Sequence, residues 1–132
     1  MIKKDNVIIN KSKDFAIEAI KLYKLLKSDK KEFILSTQFL RSATSIGANV
    51  REGLNSISKK EFVSKLNISL KEAYEVEYWL ELLFETEYID KKSFYNLKSK
   101  IVEIIRLLTA IIKTTIKNSK LYIAVFVVNC KL

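Results

Sequence analysis

The chain contains no proline and only two glycines among its 132 residues, so it has few positions at which the backbone can turn sharply. β-Sandwiches and doubly wound sheets need many tight turns, which this composition does not supply. Hydrophobic residues make up 48% of the sequence, enough for a core without disulfides or metal ions. The length suits one domain. A single all-α domain with long helices is therefore predicted.

Histidine is absent, and cysteine occurs once, at Cys130. A single thiol forms neither a disulfide framework nor a structural zinc site, and a reactive thiol here would lack a histidine partner. Glu72, Glu75 and Glu77 resemble the carboxylates of di-metal bundles, but those sites use Glu-x-x-His motifs. Glycine-rich phosphate loops and nucleophile elbows are also missing from the sequence. We therefore predict no metal, no cofactor and no catalytic centre.

Long apolar segments are missing as well. The longest strongly apolar run, residues 121–128, is too short to span a bilayer as a helix. Residues 1–10 lack the extended apolar stretch of a signal peptide. A cytoplasmic location without membrane association is therefore expected.

The net charge of +9 is distributed unevenly along the chain. Basic residues outnumber acidic ones in residues 1–31 and 91–132, whereas residues 59–90 are acidic. This asymmetry suggests complementary surfaces, either within one chain or between chains. The positive surplus suits a polyanionic partner, although a lysine-rich surface can also serve solubility alone. Composition leaves both interpretations open.

Hydrophobic periodicity predicts four helices, at residues 12–27, 35–52, 59–86 and 91–117. The fourth helix has the strongest pattern, because its apolar residues alternate at intervals of four and three, as in a bundle or coiled-coil seam. A second apolar face on this helix favours oligomerisation. Four helices with short connections are expected to form an antiparallel up-down-up-down four-helix bundle spanning residues 1–120.

Several residues are candidates for helix ends. We expect Ser12 and Asp90 to cap the N-termini of the first and fourth helices. Ser58 and Glu61 form a capping-box pattern at the start of the third helix. Gly53 is placed to end the second helix in a left-handed conformation, which glycine adopts without steric cost.

The apolar tail, residues 121–132, breaks the helical period of the preceding segment. Its composition is β-prone, with several branched and aromatic residues in succession. Three placements are open. The tail could pair with residues 7–9, plug an interface, or extend the fourth helix.

The second helix is polar and rich in small residues, so its intrinsic helix propensity is modest. Ala43 and Gly47 lie one turn apart and provide a surface for close approach of a neighbouring helix. A polar band at helical spacing comprises Gln38, Ser42, Ser45, Asn49 and Glu52. If buried, this band must find hydrogen bonds and would fix the register of the bundle. A recognition face is the alternative, and the structural role is favoured.

The same segment carries a specific sequence pattern. Residues 36–53 resemble the four-helix-bundle family of proteins encoded in intervening sequences of bacterial large-subunit ribosomal RNA genes. Ser-Lys-Lys-Glu-Phe at residues 58–62, Lys-Glu-Ala-Tyr-Glu at 71–75 and Tyr-Trp-Leu at 78–80 belong to this pattern. The resemblance covers roughly residues 12–117 and leaves out the apolar tail. The motif positions are Gln38, Ser42, Ala43, Ser45, Ile46, Ala48, Asn49, Glu52 and Gly53.

The resemblance implies a four-helix monomer in a ring-shaped homopentamer that binds RNA or another nucleic acid. A related branch is the accessory protein of diversity-generating retroelements, a basic pentamer that partners a reverse transcriptase. Two roles follow as expectations. One is a non-enzymatic, homo-oligomeric nucleic-acid-binding protein, and the alternative is a protein–protein scaffold or accessory subunit.

Exposed basic residues near the fourth and first helices are the candidate nucleic-acid contacts. Because such contacts go mostly to phosphate, we expect salt-sensitive binding with little sequence specificity. A ring would multiply the basic patch and raise the avidity. The candidates are Lys98, Lys100, Arg106, Lys113, Lys117 and Lys120, and a second group near the first helix comprises Lys3, Lys4, Lys11 and Lys13, with Lys21 and Lys24 as its main members.

Glu77 is predicted to form an ion pair. It lies near the apolar face of the third helix, where an unpaired charge would be costly. We expect it to meet a cationic partner such as Arg41, Arg51 or Arg106, within the chain or across an interface.

Overall fold

The computed structural model describes the backbone of residues 3–131 and the side chains of residues 7–118. Within those residues the chain forms four helices and no strand: α1 (Lys3–Ser28), α2 (Ile34–Leu54), α3 (Lys59–Glu85) and α4 (Lys91–Lys131). Each helix packs against the next along the chain, and α4 packs against α1. The chain is therefore an antiparallel four-helix bundle, which confirms the predicted all-α fold.

The core is the shared apolar interior of the four helices. Phe15 of α1 meets Phe39 of α2 edge to face with ring centroids 6.4 Å apart, and Phe84 of α3 stacks on Phe94 of α4 at 4.3 Å. Burial of one such large side chain contributes roughly 1.5–3 kcal/mol. All four helices supply fully buried large side chains: Ile8, Phe15, Leu26, Phe39, Ile46, Val50, Leu66, Leu80, Leu83, Ile101, Ile104 and Leu108.

Helix α1 begins at Lys3 and not at Ser12. Ile8 is only 1% exposed and lies two turns before Phe15, so it continues the apolar stripe towards the N-terminus. Ser12 is buried inside the helix, where its hydroxyl donates to the carbonyl oxygen of Ile9 at 3.1 Å. The prediction that Ser12 is an N-cap is therefore wrong, because the hydroxyl is satisfied by its own helix.

Ser12 also accounts for the glycine in the middle of α2. A Cβ atom on Gly47 would lie 3.2 Å from Ser12 Oγ and 3.5 Å from Ser12 Cβ. Ala43, one turn earlier, is completely buried. Small residues thus let α1 and α2 approach closely, as predicted for Ala43 and Gly47.

Gly53 serves close approach at the contact between α2 and α3. The helix continues to Leu54, and its C-cap is Asn55, whose N–H donates to the carbonyl oxygen of Arg51. Gly53 is buried within the helix, and a Cβ atom there would lie 2.9 Å from Leu66 Cδ1. In the described chain neither glycine has a positive φ. The predicted left-handed cap at Gly53 is therefore wrong, and the position requires space rather than backbone freedom.

The start of α2 is stabilised by Glu32, a residue in the preceding connection. Its buried carboxylate accepts the N–H groups of Ile34, Leu35 and Ser36 at 3.0, 2.8 and 2.7 Å. The hydroxyl of Ser36 donates in return to the Glu32 carbonyl oxygen at 2.8 Å. Burial acts to raise the pKa of Glu32, but the N–H groups, that of Ser36 foremost, lower it below its ordinary value. An ionised carboxylate also suits the positive end of the helix.

Ser58 and Asp90 cap α3 and α4, as predicted. Ser58 Oγ accepts the N–H of Glu61 at 3.1 Å, and Asp90 Oδ1 accepts the N–H of Ser93 at 2.7 Å. Each bond satisfies one of the N–H groups that lack a partner in the first turn of a helix. These two helix starts therefore follow from local sequence alone.

Helix α3 ends in a left-handed residue that is not glycine. Glu87 follows the helix with a φ of 68°. Its N–H donates to the carbonyl oxygen of Phe84, and the N–H of Tyr88 donates to the carbonyl oxygen of Leu83. This is the Schellman arrangement, in which glycine is the usual left-handed residue. Lys31, before α2, is also left-handed, with a φ of 54°. The turns thus use charged residues where glycine would be less strained.

Helix α4 runs to Lys131 and is the longest element. At 1.5 Å per residue it is about 60 Å long, against about 40 Å for α3. Because Phe94 near its start stacks on Phe84 near the end of α3, the additional length lies at the C-terminal end of α4. The backbone of the tail therefore extends the fourth helix, the third of the predicted placements, while the side chains of residues 119–132 lie outside the described residues. In the described part of the chain, no helix combines the length and hydrophobicity needed to cross a membrane.

Candidate nucleic-acid interface

Three basic residues share the outer face of α4. Arg106, Lys113 and Lys117 are seven and four residues apart, a spacing that aligns their side chains in one row along a helix. All three are exposed, and among the described residues none of them forms an ion pair. The row extends about 16 Å along the helix axis. These three charges are therefore available to a polyanion.

Lys98 and Lys100, predicted as members of the same group, form ion pairs within the bundle. Lys98 Nζ lies 2.8 Å from Glu77 Oε2 and 3.1 Å from Glu81 Oε1. The bond to Glu77, assisted by Glu81, raises the pKa of Lys98 against the opposing effect of burial. Lys100 Nζ lies 2.8 Å from Glu18 Oε1. Since these pairs link α4 to α3 and to α1, the two lysines position helices and offer less free charge than the row.

Glu77 has an ion-pair partner, as predicted, but the partner is Lys98 and not an arginine. Arg41 contacts other carboxylates of α3, and Arg51 and Arg106 are exposed. The predicted pairing is confirmed, with a lysine in place of the arginines named as examples, because Glu77 lies at the seam between α3 and α4. The packing of the helices and the position of each cation along α4 decide which of them reaches that seam.

Lys21 and Lys24 form a second basic group on α1. Both are exposed and three residues apart, so they lie on one face of the helix. Helix α1 packs beside α4, and an ion pair between Lys11 and Glu103, 2.9 Å long, joins the two helices. The second group therefore belongs to the helix that borders α4. Lys120, the last candidate, lies outside the described side chains.

Part of the α2 motif forms the contact between α2 and α3. The hydroxyl of Ser69 donates to the carbonyl oxygen of Ile46 at 2.8 Å in a completely buried environment. Ser42 is also completely buried and donates to Glu75 Oε2 at 3.1 Å. A buried polar group is costly unless it is hydrogen-bonded, so these bonds specify one register between the helices.

Arg41 connects the same contact to two carboxylates of α3. Its guanidinium lies 3.0 Å from Glu75 Oε2 and 3.5 Å from Glu72 Oε1. Burial, together with the nearby charge of Glu75, raises the pKa of Glu72. Burial also acts to raise the pKa of Glu75, but the bonds with Ser42, Glu72 and Arg41 lower it. Glu75 is therefore the main anionic partner of Arg41, and Glu72 takes up a proton more readily than Glu75 does.

The remaining motif residues lie nearer to solvent and are bonded mostly within α2. Gln38 is exposed, and Ser45 donates to a carbonyl oxygen one turn earlier. Asn49 donates to the carbonyl oxygen of Ser45 at 2.8 Å, and Glu52 pairs with Lys65 of α3 at 2.9 Å. Four members of the polar band, Ser42, Ser45, Asn49 and Glu52, thus have hydrogen-bond or ion-pair partners, whereas Gln38 has none among the described residues.

The three glutamates considered for a di-metal site face two different seams. Glu72 and Glu75 contact Arg41 of α2, whereas Glu77 contacts Lys98 of α4. Among the described residues, no group of three or more histidine, cysteine, aspartate or glutamate side chains is arranged to hold a metal ion.

Comparison with known proteins shows the family of this chain and supports its fold. The model of the 23S rRNA-intervening sequence protein family matches residues 4–110. The chain therefore belongs to the family of 23S rRNA-intervening sequence proteins. No curated protein matches it.

A solved structure is also similar to this chain. It is the crystal structure, at 1.70 Å resolution, of a protein with unknown function from the S23 ribosomal protein family of Bacteroides thetaiotaomicron VPI-5482. The two sequences are 52% identical and the structures superpose with a TM-score of 0.82. The alignment covers 83% of this chain and 98% of that chain. The expected family and the four-helix bundle are both confirmed.

Proposed function

We propose that this chain is a non-enzymatic, homo-oligomeric protein that binds RNA through the basic outer faces of α4 and α1. The row formed by Arg106, Lys113 and Lys117 carries the proposal, because these exposed cations have no ion-pair partner among the described residues. Cations in such a row neutralise phosphates and release the counterions condensed around them. The family resemblance implies binding to RNA or another nucleic acid, and the family is named after the 23S rRNA genes in which its members are encoded, so RNA is the polyanion to test first.

The expected mode of binding is electrostatic. Contacts from arginine and lysine to phosphate fix the position of the strand but carry little sequence information. Affinity should therefore depend strongly on salt and weakly on sequence. Lys21 lies beside Ser93, Asn96 and Leu97 at the start of α4, so Lys21 and Lys24 would add contacts for a strand that extends from the row towards that end of the bundle.

Homo-oligomerisation is the second part of the proposal. Helix α1 exposes the apolar side chains of Ile17 and Ile20, at 42% and 39%, beside its basic residues. Exposed apolar side chains of this size favour contact with another protein surface. The homopentameric ring implied by the family resemblance would repeat the basic row around one assembly. Simultaneous contacts of several copies with one RNA would raise the avidity.

Titration of a labelled single-stranded RNA with the full chain, repeated over a range of salt concentrations, tests the proposal. Three phosphate contacts per chain predict that log Kobs falls against log salt with a slope of about −2 or steeper. No binding at low ionic strength would contradict the RNA-binding part. Light scattering of the chain without RNA tests the assembly, and a monomeric mass would contradict the homo-oligomeric part.

A protein–protein scaffold or accessory subunit is the second candidate function. Tyr74 and Tyr78 lie one turn apart on α3 and are 53% and 54% exposed. Tyrosine is enriched in the centres of protein interfaces, so this acidic helix offers a docking surface. A protein partner that stays bound after nuclease treatment and is lost in Tyr74→Ala/Tyr78→Ala would favour this function. Loss of the partner on nuclease treatment would instead favour RNA binding.

A further inference from the structure

One end of the bundle carries a cleft that is separate from the basic row. The cleft has a volume of about 390 Å³ and lies between the C-terminal turns of α1 and α3 and the start of α4. Leu22, Leu25, Phe84, Tyr88 and Ile89 give it an apolar lining. Leu25 is 56% exposed, so a large apolar side chain of this lining faces solvent.

The lining of the cleft is negatively charged although the chain as a whole is strongly basic. Asp29, Glu87 and Asp90 contribute carboxylates, and Lys30 is the one cation among the described lining residues. An apolar surface with acidic groups fits an apolar segment that also carries cations. A segment that binds in this cleft should therefore be both hydrophobic and basic.

The C-terminal part of this chain has that composition. Residues 121–128 are an uninterrupted apolar run, preceded by Lys117 and Lys120 and followed by Lys131. The sequence contains no acidic residue after Glu103. The family match ends at residue 110, so this apolar and basic segment is an addition to the shared bundle.

The segment cannot reach the cleft of its own chain. Asp90 and Ser93 line the cleft at the start of α4, and the tail lies at the other end of the same helix, which runs to Lys131. The two ends are roughly 55 Å apart along a continuous helix. Only a second copy can bring its tail to this cleft.

We propose that residues 121–131 of one copy dock into the acidic, apolar cleft of the next copy. The two contacting surfaces are different, so the contact is head to tail, and repeated contacts generate a closed ring or an open filament. The inference rests on the homo-oligomeric part of the proposed function and not on RNA binding. It adds to the assembly a contact that the shared bundle cannot supply, because the family match ends before the tail.

Cys130 provides a direct test, because it is the one cysteine of the chain and lies in the tail. Leu25→Cys places a second thiol in the cleft, at the other end of the bundle. The full-length variant is oxidised with copper phenanthroline and separated on a non-reducing gel. A tail in a neighbouring cleft predicts a ladder of dimers, trimers and higher species, whereas the native chain, with one thiol, cannot exceed a dimer.

The matched control is Ile34→Cys. Ile34 is 77% exposed at the same end of the bundle but does not line the cleft. A ladder in Leu25→Cys that is absent from the control, and absent when Cys130→Ser is added, would support the proposal. Asp29→Cys, also in the cleft, repeats the test if Leu25→Cys does not fold.

Two results would overturn the inference. One is the absence of a ladder in both cleft variants, and the other is equal cross-linking of the cleft variant and the control. If light scattering still shows an oligomer in either case, only the docking contact is wrong. A monomeric mass would contradict the homo-oligomer as well, while leaving RNA binding to its own titration.

Discussion

Lys98 of α4 and Glu77 of α3 form an ion pair in which Nζ lies 2.8 Å from Oε2, with side chains 27% and 23% exposed. Lys113 lies further along the same helix and is exposed, with no ion pair among the described residues. The two lysines therefore have different surroundings. One links two helices of the bundle, and the other is free to contact a ligand.

Exchange of each lysine for methionine separates these functions. Lys98→Met keeps an apolar stem but leaves Glu77 and Glu81 without a cation, so we expect the free energy of unfolding to fall by about 1 kcal/mol. RNA affinity should change little. Lys113→Met should leave the free energy of unfolding nearly unchanged and lower the RNA affinity. Urea denaturation and RNA titration of both variants check this, and an unchanged stability in Lys98→Met would contradict the assigned role.

Ser12 and Gly47 are predicted to be thermodynamically coupled. Gly47→Ala gains up to about 1 kcal/mol of helix propensity. However, its Cβ would lie 3.2 Å from Ser12 Oγ, and overpacking of this kind costs about 1–3 kcal/mol. The single variant should therefore be less stable than the native chain. In a Ser12→Ala background the nearest contact becomes Ser12 Cβ at 3.5 Å, and the same substitution should stabilise.

A double-mutant cycle measured by urea denaturation quantifies this coupling. We expect a favourable coupling free energy of about 1 kcal/mol or more between Ser12→Ala and Gly47→Ala. Strictly additive effects would mean that the hydroxyl of Ser12 does not limit the approach of α1 and α2.

Glu32→Gln should weaken the start of α2. The three N–H bonds to an ionised carboxylate predict a loss of about 1–3 kcal/mol in the free energy of unfolding at neutral pH. The folded chain lowers the pKa of Glu32, so its stabilisation is present at neutral pH and is lost as the pH falls through the folded-state pKa. The difference in the free energy of unfolding between the native chain and the variant should therefore shrink as the pH falls below 4.5, the ordinary pKa of a glutamate.

Thermal or urea unfolding as a function of pH measures this difference. Glu85→Gln, at an exposed glutamate in the last turn of α3, is the control and should change stability much less. A stability difference for Glu32→Gln that stays constant down to strongly acidic pH would argue against an ionised cap.

Glu87→Gly should stabilise the turn between α3 and α4. A left-handed conformation costs a non-glycine residue about 1–2 kcal/mol, part of which is offset by the greater freedom of glycine in the unfolded chain. We expect a net gain of up to about 1 kcal/mol in urea denaturation. Glu87→Ala keeps the Cβ atom and should bring no such gain, so equal effects of the two substitutions would point to the charge instead.

The predictions from the sequence were correct where a structural feature depends on residues close together in the chain. Ser58 and Asp90 cap their helices through bonds that reach only three residues along the chain. The apolar periodicity of α4 likewise needs no knowledge of its neighbours. These signals were sufficient for the all-α class and the four-helix bundle.

The predictions were wrong where the role of a residue depends on the helix packed against it. Ser12 lies inside α1 where it faces Gly47, and Gly53 lies inside α2 where it faces Leu66. Both look like helix-end residues in the sequence, yet the left-handed turn after α3 uses Glu87. Helix propensities describe a residue in isolation and cannot show what lies opposite it.

The candidate interface was predictable to the same extent. Helical spacing places Arg106, Lys113 and Lys117 on one face of α4 without any structure. It does not show that Lys98 and Lys100 are neutralised, because their partners belong to α3 and α1. An acidic third helix beside a basic fourth helix was the available signal for such pairing.

The most direct test of RNA binding through α4 compares two triple variants of equal charge loss. Arg106→Ala/Lys113→Ala/Lys117→Ala removes the row, and Arg51→Ala/Lys60→Ala/Lys71→Ala removes three exposed cations from α2 and α3. The first should lower RNA affinity by roughly tenfold or more and make the salt slope shallower by about 2–3, while the control stays close to the native chain. Equal losses of affinity in the two variants would contradict binding through the α4 face.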